Sequence, residues 1–104
     1  KFIWTAGATG NVGWGLQAVA ISDDDVLDAA FGTAVTVTDG VTAAGDVMKS
    51  AETSAITIAG TPAEGDMSVF QVYRDADNVS DTLAADATLI GVELFFTTNA
   101  GNDA

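Results

Sequence analysis

The sequence contains neither cysteine nor histidine. Without cysteine no disulfide can form, and without the two residue types thiol proteases, zinc fingers and Ser-His-Asp triads are excluded. Proline occurs once, at Pro62, and no apolar run approaches the ~20 residues that a membrane helix needs. We therefore expect no cysteine- or histidine-dependent enzyme and no membrane insertion.

Positive charge is almost as scarce. Three basic residues face 15 acidic ones, which gives a formal net charge of −12. This balance opposes binding to nucleic acids, whose phosphates need clustered Lys and Arg, and it opposes docking on anionic lipid. Of the acidic residues 12 are Asp, which prefers loops and turns, so we expect an acidic protein whose charge lies mainly at strand ends.

Length and hydrophobicity predict one folded domain. The chain has 104 residues, of which 48% are hydrophobic and 17% charged. These values suit a single domain over residues 1–104 with one core. The chain starts at Lys1, without Met, inside an apolar strand-like run. We expect a processed product or the ordered part of a longer protein.

Short runs rich in Val, Ile, Thr and aromatic residues alternate with Gly, Asp and Asn, a pattern typical of β-strands and turns. We predict seven strands, at residues 1–5, 11–21, 33–39, 46–52, 54–60, 66–75 and 88–98. Their regular spacing predicts an all-β protein, either an antiparallel sandwich or a barrel. Helical signals are limited to one turn each in "DDVLDAAF" and "SDTLAADA".

Two strands carry unusual apolar faces. Residues 11–21 place Val12, Trp14 and Leu16 on one face. Residues 88–98 are apolar on most of both faces, which predicts a central strand or a subunit interface. Elsewhere, "AAGDVM" and "AEGDMS" each place Gly-Asp before a strand, and we expect a positive φ at both glycines.

Two acidic loops are candidate calcium sites, since Ca²⁺ takes six to eight oxygen ligands. The candidate ligands are Asp23, Asp25 and Asp28 in the first loop and Asp75, Asp77 and Asp81 in the second. The second loop begins like an EF-hand, but Val79 stands at a ligand position and Ser80 replaces the required glycine. Solvated strand-connecting loops are the main interpretation, calcium is the minor one, and no other cofactor is expected.

Glu93 is a candidate for carboxylate catalysis, and Trp4 and Trp14 are candidates for sugar binding. Glu93 lies inside an apolar strand, where we expect it to point outward or to pair with Arg74 or Lys49. Trp4 and Trp14 alternate with other residues along predicted strands. Core or interface packing is the favoured role for these aromatic residues, over stacking on sugar rings.

The runs "GNVGWGLQAVAISDDDVLDAAFGTAVTVTD" and "AEGDMSVFQVYRDADNVSDTLAADATLIGVELFFT", with the polar tail after them, carry a resemblance. Over about residues 11–98 the chain resembles the C-terminal jelly-roll-like domains of tailed-phage virion proteins, as in tail fibres, head fibres and decoration proteins. The resemblance implies a homo-oligomer, commonly a trimer, that contacts other virion proteins or a host-surface receptor. A full eight-strand jelly roll needs more residues, which predicts a missing N-terminal strand.

The sequence therefore predicts a jelly-roll-like β-sandwich of about seven to eight strands, acting as a non-enzymatic virion structural protein in an extracellular particle. The interface candidates are Trp14, Leu16, Val92, Leu94, Phe95 and Phe96. Two rival functions remain, a sugar- or calcium-dependent adhesion module and a subunit of a cellular surface filament.

Overall fold

The computed structural model describes residues 1–97 and confirms an all-β fold with seven strands in that part of the chain. The strands are β1 (Phe2–Ala6), β2 (Gly10–Ile21), β3 (Val35–Val41), β4 (Val47–Lys49), β5 (Ile58–Ala59), β6 (Met67–Arg74) and β7 (Ala87–Val92). Each of them falls within or overlaps a strand predicted from the sequence.

The strands form two sheets. The first sheet has the order β4-β1-β7 and is antiparallel throughout. In the second sheet β6 pairs with one edge of β2, while β3 and β5 share the other edge at different heights. The pairing of β5 with β2 is parallel, which departs from the antiparallel prediction. The jelly-roll connectivity stays a prediction.

The core lies between the two sheets and is centred on three aromatic rings. Phe2 stacks on Trp14 with centroids 5.6 Å apart, and Trp4 meets Trp14 edge-on at 5.8 Å. Val12 and Leu16 complete the β2 contribution, as the alternation in the sequence predicts. The Trp4 Nε1 donates to Asp39 Oδ2 at 2.8 Å, which joins the sheets by a hydrogen bond as well.

Both Gly-Asp turns have the predicted backbone. Gly45 has a φ of 88° and Gly65 a φ of 90°. In each turn the amide after the glycine, from Asp46 or Asp66, donates to a carbonyl three residues earlier at 3.2 Å. This is the hydrogen bond of a four-residue β-turn with glycine at the position that needs positive φ. β4 and β6 begin directly after these turns.

Three elements differ from the central-strand and helical-turn expectations, while the alternative of a subunit interface for residues 88–98 stays a prediction. β7 ends at Val92 and lies at the edge of its sheet in the described part of the chain, where β1 takes the centre. Its predicted end, Thr98, lies outside the described residues. Residues 24–31 and 80–86 form turns and irregular chain and contain no helix, and Ala87 already belongs to β7. Such short segments need tertiary support to become helical.

Within residues 1–97 the structure contains no helix long and apolar enough to cross a membrane.

The two tryptophans make a matched test of the core. Trp4 and Trp14 are both buried, but only Trp4 has a hydrogen-bond partner for its indole nitrogen among the described residues. Trp4→Phe should therefore lower the free energy of unfolding more than Trp14→Phe, by about 1–2 kcal/mol, because it also removes the bond to the Asp39 carboxylate. Urea unfolding of both variants measures the difference, and a larger loss for Trp14→Phe would contradict this account of the core.

Candidate functional site

The first acidic loop uses its polar groups for its own turn. The Asp25 carboxylate accepts the Ser22 amide at 2.9 Å, and the Asp25 amide donates to the Ser22 carbonyl at 3.2 Å. Asp24 adopts a φ of 68°, which Asp tolerates better than most residues. The Ser22 hydroxyl donates to Asp66 Oδ1 at 2.8 Å, which anchors the loop beside the turn before β6. These contacts are those of a strand-connecting loop.

In the second loop, the three candidate ligands have separate surroundings. The Asp75 amide donates to the Gly13 carbonyl at 2.7 Å, which continues the β2–β6 pairing. Asp77 is exposed, whereas the Asp81 side chain is almost fully buried. Across residues 1–97, no three acidic side chains come together in a group that would hold a metal ion.

Asp81 instead forms an ion pair with Arg74. Arg74 donates from Nε and Nη2 to the two carboxylate oxygens at 2.9 and 2.7 Å, a bidentate arrangement. The same guanidinium donates to the carbonyls of Leu83 and Ala85 at 2.7 and 2.8 Å. Asp81 also accepts the Gly13 amide at 3.0 Å. One ion pair therefore fastens the 75–86 connection to β2 and β6.

This geometry shifts both ionisation equilibria in the stabilising direction. The hydrogen bond from Arg74 holds the pKa of Asp81 below its ordinary value of 3.8, although burial opposes the shift. The Asp81 hydrogen bond likewise raises the pKa of Arg74. The Asp81 side chain is 2% exposed and that of Arg74 is 23% exposed, so water screens the pair only partly.

The sequence offered a signal for this pair that was not used. Arg74 is one of only three cations, it ends an apolar strand, and it lies seven residues before Asp81. Its role is structural, because its hydrogen bonds all hold the same connection in place. Glu93 forms the predicted pair with Lys49 at 2.5 Å, and this contact holds the pKa of Glu93 below its usual range.

Trp4 and Trp14 lie in the core, whereas Tyr73 lies on the outside of the second sheet. Trp4 and Trp14 are 0% and 3% exposed, so neither indole is available to stack on a sugar. Of the two glycines beside Trp14, Gly15 makes room for a tyrosine ring. A Cβ at Gly15 would lie 2.3 Å from the Tyr73 ring, so glycine there lets Tyr73 pack across β2 on the outward face.

The interface candidates separate in the same way. Trp14 and Leu16 lie in the core of the single chain, and Val92 packs against that core. Three candidates are exposed and continue the chain after β7: Leu94, Phe95 and Phe96. The interface candidates that are exposed in the single chain therefore all lie beyond Val92.

The outward face of the first sheet carries apolar residues, interspersed with Thr5, Lys49 and Thr88, and was missed by the sequence analysis. Because Trp4 points into the core, its neighbours on β1 point outward, as do their cross-strand partners. This face, called the β1 face below, carries Ile3, Val47 and Ile90. Val47 is 64% exposed and Ile90 56% exposed. Alternation alone could not show which side of the first sheet would remain uncovered.

The charges on the β1 face are close to balanced. Lys49 lies opposite Ile3 and pairs with Glu93, and the Lys1 Nζ lies 5.8 Å from the centre of the Phe95 ring. Two of the three basic residues of the chain thus lie on or beside this face.

A cleft of about 750 Å³ opens at the end of the first sheet. Its sides are residues 52–56 and residues 93–97, and its floor belongs to the second sheet. Floor residues are Leu16, Ile58, Ser68 and Phe70. The lining is mainly apolar, with Lys1, Glu52 and Glu93 at its rim.

Comparison with known proteins gives no relative: no protein-family description, no curated protein and no solved structure matches the chain.

The pKa of Asp81 leads to a pH prediction. A carboxyl group whose pKa is lower in the folded state stabilises the protein above its unfolded pKa, and this contribution disappears as the pH falls through the folded value. Asp81→Asn should therefore lower the free energy of unfolding by about 3 kcal/mol at pH 7, because it leaves the Arg74 charge without its partner.

Thermal and urea unfolding of both proteins from neutral pH to below the ordinary value of 3.8 tests this assignment. The difference between wild type and Asp81→Asn should shrink at the acidic end. Glu93→Gln is the control, since its ion pair is solvent-exposed and its effect should be much smaller. A difference for Asp81→Asn that does not vary with pH would contradict the proposed ion-pair contribution.

Proposed function

We propose that this chain is a non-enzymatic structural domain that assembles with further copies of itself through the β1 face. The single observation that carries the proposal is the exposure of Val47 and Ile90, on the two strands that flank β1, together with a balanced set of charges. Apolar patches of this kind on a soluble domain mark protein contacts. Exposed Phe95, at 59%, extends the patch beyond β7.

Charge supports a second copy as the partner. The chain has a net charge of −12, so most orientations of two copies bring like charges together. The β1 face carries Lys49 with Glu93 and has Lys1 at its edge. Two copies meeting there would bury apolar side chains without adding to the repulsion between their acidic loops. The resemblance to phage domains adds the proposal that the closed oligomer is a trimer.

The finer assignment, to a tailed-phage virion, is supported by the sequence resemblance over residues 11–98 and agrees with the β-sandwich. In this proposal the domain belongs to a fibre or decoration protein of the extracellular particle. The acidic loops would keep the exterior of the assembly soluble, and other virion proteins or a host-surface receptor would be its further partners.

Sedimentation velocity at increasing protein concentration tests the assembly. Wild type should form a closed oligomer of defined mass, and added salt should favour it by screening the repulsion between acidic chains. Ile90→Glu should shift the chain to monomer, because it places an unpaired charge at an apolar position of the β1 face that assembly would bury.

The matched control is Val79→Glu, which adds the same charge in the 75–86 connection at a side chain that is 94% exposed. It should sediment as wild type does. Wild type that remains monomeric at every protein and salt concentration would contradict the proposal. Open-ended polymers would contradict the closed assembly and favour a filament subunit.

A further inference from the structure

The cleft lies beyond the start of β1 and in line with that strand. The chain that follows β4 lies on one side of the cleft, and the chain that follows β7 lies on the other. Glu93 and Lys1 exchange backbone hydrogen bonds of 2.9 Å, so the chain after β7 runs on past the start of β1. On the other side, the Ser50 amide donates to the Phe2 carbonyl at 2.9 Å, and the chain after β4 also runs on. Residues 52–56 and 93–97 then form the two sides of the cleft.

The floor of the cleft is the inner face of the second sheet. Phe70 pairs with Ala18 and Ser68 with Ala20, positions that share the face of Trp14 on β2. β2 has 12 residues and β1 only 5, so β2 extends well beyond β1 at about 3.3 Å per residue. The first sheet thus covers one half of this inner face, and the cleft lies over the other half.

The sides of the cleft carry backbone groups available for pairing. Residues 52–56 and 94–97 make no backbone–backbone hydrogen bond to any part of the chain that the structure describes. Neither segment belongs to a strand, although residues 52–56 follow β4 in the chain and residues 94–97 follow β7. An added strand requires backbone partners at both of its edges and a surface for its alternate side chains. The two segments provide the backbone partners, and the apolar floor provides the surface.

We infer that the cleft is the seat of one added β-strand, supplied by a second polypeptide of a different sequence. The added strand would lie in line with β1, pair with residues 52–56 and 94–97, and place alternate apolar side chains on Leu16 and Phe70. The inference goes beyond the proposed assembly through the β1 face, since it names a different partner and a different surface of the same structural domain.

Strand pairing and charge among the described residues indicate a source for that strand. In the described part of the chain every strand is already paired within a sheet, and the exposed apolar segment after Val92 is itself a side of the cleft. A second copy would have to open its own cleft to donate that segment. Glu52 at the rim has no ion-pair partner among residues 1–97, and the chain as a whole is acidic. Lys1 lies at the opposite side of the rim, against the Phe95 ring, so a guest strand whose basic residue lies beside Glu52 fits this rim.

A blocked synthetic peptide that alternates valine with threonine, with one lysine at each end, is the probe. Titration calorimetry should detect its binding, and amide exchange followed by NMR should show new protection at residues 52–56 and 94–97. A peptide of the same composition with its valines placed together should bind at least tenfold more weakly, because it cannot direct all its apolar side chains to the floor.

Two variants of β6 locate the binding. Phe70→Ala removes a floor side chain that is 38% exposed and should weaken the peptide at least tenfold. Met67→Ala truncates a side chain on the opposite face of the same strand and should leave the affinity unchanged. Equal affinity for the two peptides, no binding, or protection elsewhere in the chain would overturn the inference.

Three further results separate this inference from its alternatives. Peptide binding that persists in Ile90→Glu would support the cleft even if assembly through the β1 face fails. Protection of residues 52–56 in oligomers of the chain without peptide would mean that a second copy covers the cleft, and would overturn the inference. The same protection in a chain extended ahead of Lys1 by its natural coding sequence would overturn the assignment to a second polypeptide.

Discussion

The packing of Phe2 and Trp4 against Trp14 is the interaction on which the rest of the structure depends. The rings are the main volume shared by the two sheets, and they fix β1 over the first half of β2. Because the Trp4 Nε1 also donates a hydrogen bond to Asp39 on β3, the sheets cannot slide without breaking that bond. Both the β1 face and the cleft are consequences of where this contact places β1.

Unequal strand lengths then decide which surfaces remain open. A first sheet built from short strands cannot cover a second sheet built on a 12-residue strand. The inward side of the first sheet is used for the core, and on its outward side Val47 of β4 and Ile90 of β7 remain exposed. The Arg74–Asp81 ion pair holds the long connection between β6 and β7 against β2, at the end of the sandwich where the core is complete.

Local sequence was informative wherever the chemistry is local. Alternation along β2 predicted its buried face, and the two Gly-Asp turns predicted positive φ, because both depend on residues adjacent in the chain. The fate of Asp81 was not predictable in the same way. It was proposed as a calcium ligand, but its partner is a strand residue that the 75–86 connection brings back to it. Loop acids of one type cannot be distinguished before the fold brings their partners together.

The sequence by itself determined the all-β class, the seven strands within residues 1–97 and the absence of cysteine and histidine chemistry, since alternation and composition are properties of the chain alone. Only the tertiary structure decided that β1, not β7, is central to its sheet, and that Trp14 is core while residues 94–96 are exposed. An apolar strand pattern shows that a face avoids water. Which faces find partners within the chain depends on strand order and relative strand length, and these are set by pairings between residues far apart in sequence.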